Sequence, residues 1–270
     1  MSRTPTGRDR ISTVDALSTG ATLASMIRNG AIMDAEDYFT HSRPEVRALV
    51  PTGARIVVDV GCGAGAMGAA LKSERPGIEV RGIEPNAEAA ACARAVLDDV
   101  AVASGEQPMP ASWPAPDCVV LADVLEHMVD PWASLRYWRT RLGPGGSVVV
   151  SLPNVGHWSV GEALSRGRWD YTEDGLLDRT HLRFFTRATA VELLEGAGFE
   201  VVGMFRAILL PHTFKGNRLW RPRVRRGLEL ERAGLPVPGH VLRALDACSR
   251  QVVLGARAVE SVRGRGGGAR

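Results

Sequence analysis

The 270-residue sequence predicts an α/β fold, a doubly wound sheet of seven strands with helices between them. Three observations support this fold class. β-branched runs alternate with alanine-rich helical stretches from residue 55 onward, a rhythm typical of parallel sheets. The turn G-C-G-A-G at residues 61–65 follows the first of these runs, where a strand would enter a helix. Apolar residues make up 45% of the chain, which is enough for one sizeable core.

The predicted strands are short β-branched or apolar runs bounded by turn residues. They cover residues 55–60, 79–83, 100–103, 117–122, 147–152, 199–205 and 251–256. The first reads R-I-V-V-D-V and the fifth S-V-V-V-S-L, and such near-continuous apolar runs indicate strands that are buried on both faces. A sheet of this kind places its ligand at the carboxyl edge of the strands.

The predicted helices fill the intervals between the strands. They cover residues 66–73, 87–97, 131–141 and 187–197. Gly198 directly follows the last of them, at the position where glycine commonly ends a helix. The turn G-P-G-G at residues 143–146 leads into the fifth strand.

The order of these elements predicts a cap, one main domain and a tail. Residues 1–50 form an N-terminal helical cap, with a weak helix at 13–31 and a short one at 43–49 that Pro44 begins. The main domain spans residues 51–260. The tail, residues 261–270, has almost no apolar content and is expected to be disordered.

Two segments break the alternation of strands and helices. They are residues 153–186 and residues 211–249, and loops of such length are usually functional or carry small elements of their own. The first is interpreted as a lid over the site of the substrate (the acceptor) and the second as an insertion. The lid carries five aromatic residues, which are compatible either with an acceptor wall or with the lid's own core. They are Trp158, Trp169, Tyr171, Phe184 and Phe185.

Composition argues against nucleic-acid and membrane partners. The formal net charge is only +3, from 33 basic and 30 acidic residues, and the basic run at residues 218–226 is interpreted as a solvated face. No stretch reaches about 18 apolar residues, and the first residues lack the apolar core of a signal peptide. The four cysteines form no C-x-x-C pair, which favours reduced thiols. A cytoplasmic protein with a small-molecule substrate is expected, and the cap is compatible with either a homodimer face or a lid.

Two acidic residues flank the glycine turn and indicate the charge of its ligand. A G-x-G-x-G turn alone is weak evidence, because dinucleotide enzymes use a related loop. Asp59 lies two residues before Gly61, where an anionic side chain would repel a pyrophosphate and suit a cationic ligand. Glu84 ends the next strand, 19 residues after Gly65, where an acid can accept from both ribose hydroxyls. The pair favours S-adenosylmethionine (SAM), which carries an ammonium and a sulfonium, over a nicotinamide dinucleotide.

These residues resemble the class I SAM-dependent methyltransferases, whose catalytic domain is Rossmann-like. D-V-G-C-G at residues 59–63, with a second strand that ends in glutamate, is similar to that superfamily. L-A-D-V-L-E-H at 121–127 and L-G-P-G-G at 142–146 resemble the branch of the ubiquinone-biosynthesis O-methyltransferases. The segments at 152–158, 167–171 and 175–186 are similar to a bacterial subgroup that often accompanies glycan or specialised-metabolite pathways.

The resemblance implies a donor site for SAM and its product S-adenosylhomocysteine (SAH). The glycine turn would contact the methionine end, Glu84 the ribose, and Asp123 with Val124 the sulfonium side. Glu106 is a stand-in for the acid that contacts adenine in such families, and Tyr38 closes over the methionine end or simply packs. The implied donor-site residues are Asp59, Gly61, Cys62, Gly63, Gly65, Glu84, Pro85, Glu106, Asp123, Val124 and Tyr38.

Methyl transfer to a hydroxyl requires a base, and histidine is the natural one near neutral pH. His127 follows the fourth predicted strand, His181 lies in the lid, where Asp178 could orient it, and His157 follows the fifth strand. His212 is a further candidate from the insertion. A structural role in the protein is the alternative for each of them.

His127 also forms an acid-x-x-acid-His cluster with Asp123 and Glu126. In the ubiquinone-type enzymes a similar cluster, with glutamate at the first position, is implicated in divalent metal binding. The shorter aspartate at 123 leaves three interpretations open: a pocket wall with a helix cap, a general base, or a site for Mg²⁺, Zn²⁺ or Mn²⁺.

The predicted function is transfer of a methyl group from SAM to a small acceptor, chiefly a hydroxyl oxygen of a sugar, phenol or specialised metabolite. Nitrogen or carbon methylation in a biosynthetic pathway is the alternative reaction. A non-catalytic SAM-binding protein is the alternative of another class. An NAD-dependent oxidoreductase is disfavoured by Asp59 and by the G-P-G-G turn.

Overall fold

The computed structural model of the protein describes residues 42–208, 226–227, 229–230 and 237–259. The strands are β1 (Ile56–Val60), β2 (Glu79–Glu84), β3 (Asp99–Val102), β4 (Cys118–Ala122), β5 (Ser147–Pro153), β6 (Phe199–Ile208) and β7 (Ser249–Ala258). The helices are α1 (Pro44–Arg47), α2 (Ala66–Glu74), α3 (Ala87–Ala93), α4 (Pro131–Arg141), α5 (Trp158–Ser165), α6 (Arg187–Gly196) and α7 (Gly239–Cys248). A short 3-10 helix, Leu125–His127, follows β4.

The seven strands form one mixed sheet in the order β3-β2-β1-β4-β5-β7-β6. The five strands from β3 to β5 are parallel, and β7 runs antiparallel between β5 and β6. The predicted doubly wound fold with seven strands is therefore confirmed. The sequence pattern did not predict that the last strand would enter the sheet between its two predecessors.

The parallel register brings the ends of four strands to one edge of the sheet. Val60 pairs with Ile83 on one side and with Leu121 on the other, and Ala122 pairs with Ser151. The glycine turn, Glu84, the segment after β4 and the start of the predicted lid consequently leave the sheet at its carboxyl edge.

Alternating side chains of the buried strands build a core on each face of the sheet. Val58 of β1 contributes to one face and Val57 to the other, and neither is exposed. Trp138 of α4 is fully buried in the first cluster, whereas Leu71 of α2 is fully buried in the second. Burial of an apolar side chain of this size contributes about 1.5–3 kcal/mol, so the two layers fix both sets of helices to the sheet.

Most predicted element bounds agree with the structure to within a few residues, with three differences. The second predicted helix ends at Ala93 instead of residue 97, because the N–H groups of residues 95 and 96 bond to carbonyls three residues back. Helices α5 and α7 lie inside the two segments that were predicted as lid and insertion. The predicted helix at 43–49 is reduced to a single turn, Pro44–Arg47.

Several predicted features lie outside the described residues. They are the weak helix at 13–31, Tyr38, His212, the tail at 261–270 and most of the insertion. Among the residues that the structure describes, no helix is long and apolar enough to cross a membrane.

Candidate active site

The glycine turn places its backbone in conformations that other residues rarely adopt. Gly61, Gly63 and Gly65 have φ values of +71°, +55° and +83°. A Cβ atom on Gly61 would lie 2.6 Å from Cγ2 of Val124, so the turn packs directly against the segment after β4. A Cβ atom on Gly63 would meet no protein atom within 4 Å, which leaves open space over the middle of the turn.

Glu84 shapes the turn from the end of β2. Its Oε2 accepts a hydrogen bond from the Gly63 N–H at 2.9 Å, and its Oε1 accepts one from the Asn86 N–H at 2.9 Å. The side chain is buried, yet each carboxylate oxygen keeps a second lone pair that a ribose hydroxyl can use. Glu84 is therefore placed both to hold the turn and to accept a ligand hydroxyl.

Asp59 is a buried acid beneath the glycine turn, with only 3% of its surface exposed. Burial raises its pKa to about 7, the Arg43 guanidinium opposes that rise, and Glu84 adds to it. An anion that is this poorly solvated favours a cationic ligand. The neighbouring Cys62 thiol has a pKa raised to about 12 by burial and by the two acids, so it stays neutral.

Asp123, the residue after β4, is fixed by three partners in a left-handed conformation with φ of +57°. Its Oδ1 accepts a hydrogen bond from Ser151 Oγ at 2.9 Å and another from the Gln251 amide. Its Oδ2 forms an ion pair with Arg43 at 2.6 Å. These contacts fix the backbone next to Val124, the residue that packs against Gly61 of the glycine turn.

The segment after Asp123 brings one carboxyl and two imidazoles together. Oxygen or nitrogen atoms of Glu126, His127 and His181 all lie within 4.8 Å of one another, and the two rings meet edge to face at 4.8 Å between centroids. Among the residues that the structure describes, no hydrogen-bond partner reaches either buried carboxyl oxygen of Glu126 or Nδ1 of His181. Burial, followed by the charge of Asp123, raises the pKa of Glu126 well above its ordinary value. Burial also lowers the pKa of His181, with the charge of His127 acting in the same direction.

The predicted lid is tied to this cluster through its backbone. The Glu126 carbonyl accepts hydrogen bonds from the N–H groups of Leu182 and Arg183, at 2.8 and 3.0 Å. His181 therefore reaches the residues after β4, although 54 residues of sequence separate it from His127.

A hydrogen-bonded chain from the lid orients the His127 ring. Nδ1 of His127 lies 3.3 Å from the Thr180 carbonyl oxygen and 3.2 Å from Thr180 Oγ1. The hydroxyl in turn donates to Asp178 Oδ1 at 2.7 Å. Because both oxygens of Thr180 then act as acceptors toward the ring, the proton of neutral His127 resides on Nδ1 and the lone pair on Nε2. Asp178, predicted as a partner of His181, acts in the structure through Thr180 on His127.

His157 has the contacts of a helix cap. Its Nδ1 accepts from the Ser159 N–H at 3.3 Å at the start of α5 and lies 2.8 Å from Ser159 Oγ. Burial, assisted by the charge of Arg250, lowers its pKa to about 4, so the ring is neutral at physiological pH. These contacts favour the structural alternative for this histidine.

Glu106 supports the loop after the 3-10 helix. Its Oε1 accepts hydrogen bonds from the N–H groups of Val129 and Asp130, at 3.0 and 3.1 Å. The carboxylate oxygen that was expected to face an adenine thus has backbone partners. Pro85, next to Glu84, is exposed.

Four of the five lid aromatics lie in three different environments. Phe185 is 4% exposed and belongs to the core of the main domain. Phe184 contacts Trp169 edge to face at 5.1 Å and lies 6.2 Å from His181, so this pair lines the lid beside the imidazoles. Tyr171 is 55% exposed and packs in neither group.

The fold and the site together define a class I SAM-dependent methyltransferase. Open space lies over Gly63, and Asp59 is a buried acid whose charge Arg43 offsets only in part. Both features fit a nucleoside whose amino-acid end carries a positive charge, and Glu84 fits its ribose. The protein is thus an enzyme that uses SAM and releases SAH.

Comparison with known proteins gives the family. The chain matches the family described as "Methyltransferase domain" over residues 35–203, and it belongs to that family. It is 27% identical over 190 residues to a ubiquinone biosynthesis O-methyltransferase of Ralstonia nicotianae, covering 64% of this chain and 78% of that protein. It is 32% identical over 123 residues to a trans-aconitate 2-methyltransferase of Methylobacterium radiotolerans, covering 44% of this chain and 46% of that protein.

Solved structures confirm the fold. The plantazolicin methyltransferase BpumL in complex with SAH has a TM-score of 0.53 at 16% identity, covering 90% of this chain and 93% of that one. A possible histamine N-methyltransferase of Thermotoga maritima has a TM-score of 0.54 at 19% identity, covering 87% of this chain and 97% of that one.

Proposed function

We propose that this enzyme methylates a hydroxyl oxygen of a small molecule, such as a sugar, a phenol or a specialised metabolite, with His127 as the general base. The observation that carries this proposal is the chain from Asp178 through Thr180 to His127, which leaves the lone pair of neutral His127 on Nε2. Asp178 stays ionised, because its two hydrogen bonds with Thr180 lower its pKa.

When bound, SAM supplies a methyl group on a sulfonium, so the leaving group is already activated. The S–CH₃ bond breaks with its electron pair left on sulfur, and a new bond forms to the acceptor oxygen. The protein must align the acceptor within about 3 Å of the methyl and take up the hydroxyl proton. A neutral imidazole is suited to that task near pH 7.

The groups around His127 favour a neutral acceptor. His181 has a lowered pKa and Glu126 a raised one, so both side chains tend to be uncharged where their atoms approach the His127 ring. Within the described part of the chain, the buried oxygens of Glu126 and Nδ1 of His181 have no hydrogen-bond partner by geometry, so the polar atoms beside the His127 ring are not already paired with one another. The similarity to a ubiquinone biosynthesis O-methyltransferase is further support for an oxygen acceptor.

A divalent cation on the same cluster is the second candidate for activating the hydroxyl. The predicted ligand set of Asp123, Glu126 and His127 changes in one member, because Asp123 is held by Arg43, Ser151 and Gln251 while His181 approaches instead. One carboxylate and two imidazoles suit Zn²⁺ or Mn²⁺ better than Mg²⁺. A metal on His127 would occupy the lone pair that the base mechanism needs, so the two candidates exclude each other.

The test is a screen of sugar and phenol acceptors with SAM that carries a ¹³C-labelled methyl group, in which the chemical shift of the product distinguishes O-, N- and C-methylation. With the best acceptor, His127→Gln is expected to lower kcat about 100-fold or more while leaving SAM affinity unchanged. Thr180→Val should lower kcat about tenfold, because the ring loses its orientation. Thr172→Val is the matched control, since its hydroxyl bonds to the Asp174 carbonyl elsewhere in the lid.

Three outcomes contradict parts of the proposal. A product that carries the label on nitrogen or carbon would show that the acceptor atom is not oxygen. Full activity of His127→Gln would exclude His127 as the base. Loss of activity after EDTA treatment, with recovery on adding Mn²⁺ or Zn²⁺, would establish the metal candidate instead.

A further inference from the structure

Arg43 lies among the acidic residues of the donor site. Its guanidinium pairs with Asp123 at 2.6 Å, and its charge opposes the rise in pKa that burial causes in Asp59, Glu126 and Glu45. One cation thus acts on four carboxyl groups, three of which are less than 5% exposed.

The backbone at both ends of this ion pair is strained. Within the described residues, Arg43 and Asp123 are the two non-glycine residues with positive φ, at +42° and +57°. Such conformations cost about 1–3 kcal/mol each and are concentrated at functional sites. Because both strained residues belong to the same ion pair, the protein holds the guanidinium in this position at a cost in local stability.

A donor bound over the glycine turn would bring cationic charge near these same carboxyl groups. Asp123 adjoins Val124, which packs against Gly61 of the glycine turn, and Asp59 lies beneath that turn. SAM and SAH both carry an ammonium and a carboxylate at the amino-acid end, and SAM alone also carries a sulfonium. A guanidinium that acts on both Asp59 and Asp123 is therefore repelled by one more positive charge when SAM is bound than when SAH is bound.

We propose that Arg43 discriminates the charge of the donor, because its guanidinium raises the energy of bound SAM relative to bound SAH. The positive charge leaves the sulfur as the S–CH₃ bond breaks and its electron pair stays there, and it ends on the base together with the proton of the acceptor. Repulsion is therefore relieved on the way to the transition state, and Arg43 accelerates methyl transfer while it weakens SAM binding. This inference rests on SAM dependence and not on the identity of the acceptor or of the base.

The test compares three ligands that differ in charge at the sulfur position: SAM, the amine analogue sinefungin and SAH. In Arg43→Gln, SAM and sinefungin should gain about tenfold in affinity relative to SAH, as measured by isothermal titration. With an acceptor present, kcat and the KM for SAM should fall together, the pattern expected when ground-state strain is removed.

Two variants serve as controls. Arg43→Lys keeps the charge and should retain the wild-type ratio of affinities. Arg47→Gln removes the other arginine of this short segment, which pairs with Glu74 at the end of α2, and should leave the ratio unchanged. Arg43→Met, which keeps the aliphatic stem, replaces the Gln variant if that variant melts below the wild type.

Equal losses of affinity for all three ligands would overturn the proposal, because the guanidinium would then bind a part that they share. An unchanged ratio in Arg43→Gln would overturn it as well. A fall in kcat without a fall in KM would show that Arg43 stabilises the transition state rather than opposing bound SAM.

Discussion

Gly63 and Gly77 are two glycines with the same backbone conformation and different surroundings. Their φ values are +55° and +89°, and a Cβ atom on either would meet no protein atom within 4 Å. Only Gly63 lies in the turn over which the donor is expected to bind. An alanine at either position costs about 1–2 kcal/mol of stability, because it must adopt a left-handed conformation.

We predict that Gly63→Ala weakens SAM binding at least tenfold, since its methyl group projects into the space for the donor. Gly77→Ala should lose the same stability, measured by urea unfolding, and bind SAM as the wild type does. Equal affinities of the two variants in a titration would mean that the donor does not approach the middle of the turn.

Residues that act through a local pattern could be predicted, and those that act through tertiary contacts could not. Asp59 and Glu84 are fixed by their spacing from the glycine turn, because strand length and register place both at one edge. Arg43, Ser151 and Gln251 converge on Asp123 from a short helical turn, β5 and β7. No spacing along the chain reveals that convergence, because it depends on which strands become neighbours.

At the scale of elements, Asn154 holds the lid where it leaves and rejoins the sheet. Its amide nitrogen donates to the carbonyls of Asp246 and Ser249, both at 2.8 Å, and its Oδ1 accepts from the Gly156 N–H at 3.0 Å. Next to it, the Val155 N–H donates to the Phe185 carbonyl at 2.9 Å. The side chain is 1% exposed, so no water can replace these bonds.

We predict that Asn154→Ala lowers the free energy of unfolding by about 2–4 kcal/mol, because the carbonyls of Asp246 and Ser249 and the Gly156 N–H lose a partner and Ser249 is fully buried. Hydrogen exchange in residues 155–185 should accelerate at the same time. Asn86→Ala is the control: it removes an exposed helix cap, in which the side chain accepts from the N–H groups of residues 88 and 89, and should cost only about 1 kcal/mol. Unchanged exchange in the lid would show that Asn154 is not its anchor.

The longer helix α4 was predicted from the sequence more accurately than the shorter helix α5. Helix α4 covers the predicted residues, since Pro131 begins it after the Asp130 cap and apolar residues recur on one face. Helix α5 was not predicted, because eight residues give too few turns for a period and its cap is a histidine instead of a serine, threonine, aspartate or asparagine. His157 was therefore considered as one of the catalytic candidates, with a structural role as the alternative.

At the scale of the whole molecule, Asp59 links stability to pH. Its pKa rises from 3.8 to about 7 on folding, so its contribution to stability is complete below pH 4 and is lost as the pH rises through 7. Binding of a cationic donor favours the ionised form. Donor affinity should therefore increase between pH 5.5 and 7, a range in which the donor's ammonium stays charged.

We predict that Asp59→Asn unfolds like the wild type at about pH 3.5 and is more stable by about 2–4 kcal/mol at pH 8, while SAM binding and its pH dependence disappear. Asp98→Asn is a control of opposite sign. Burial raises the Asp98 pKa, but the bonds from Lys72 and from the Val80 N–H outweigh that effect and lower it, so its loss should destabilise the protein more at pH 8. Denaturant titrations at both pH values check the signs, and a destabilised Asp59→Asn at pH 8 would contradict the account.

The position of β7 was beyond sequence reasoning for a physical reason. β6 and β7 have similar β-branched patterns. Either strand could pair with β5 and bury its apolar residues, which would leave the other strand at the edge of the sheet. The choice depends on the antiparallel pairing of β7 with both neighbours, which extends over Ser147–Pro153 of β5 and Phe199–Ile208 of β6. Such pairing is a property of the assembled sheet.

That position also has a consequence for biosynthesis. A ribosome makes β5 and β6 well before β7, and each of these strands has an unpaired edge until Ser249–Ala258 inserts between them. A nascent chain that stalls before residue 249 would therefore expose two open edges and lack Gln251 beside Asp123. Protection of the growing chain from aggregation and completion of its donor site therefore both require β7, the strand made after its two neighbours.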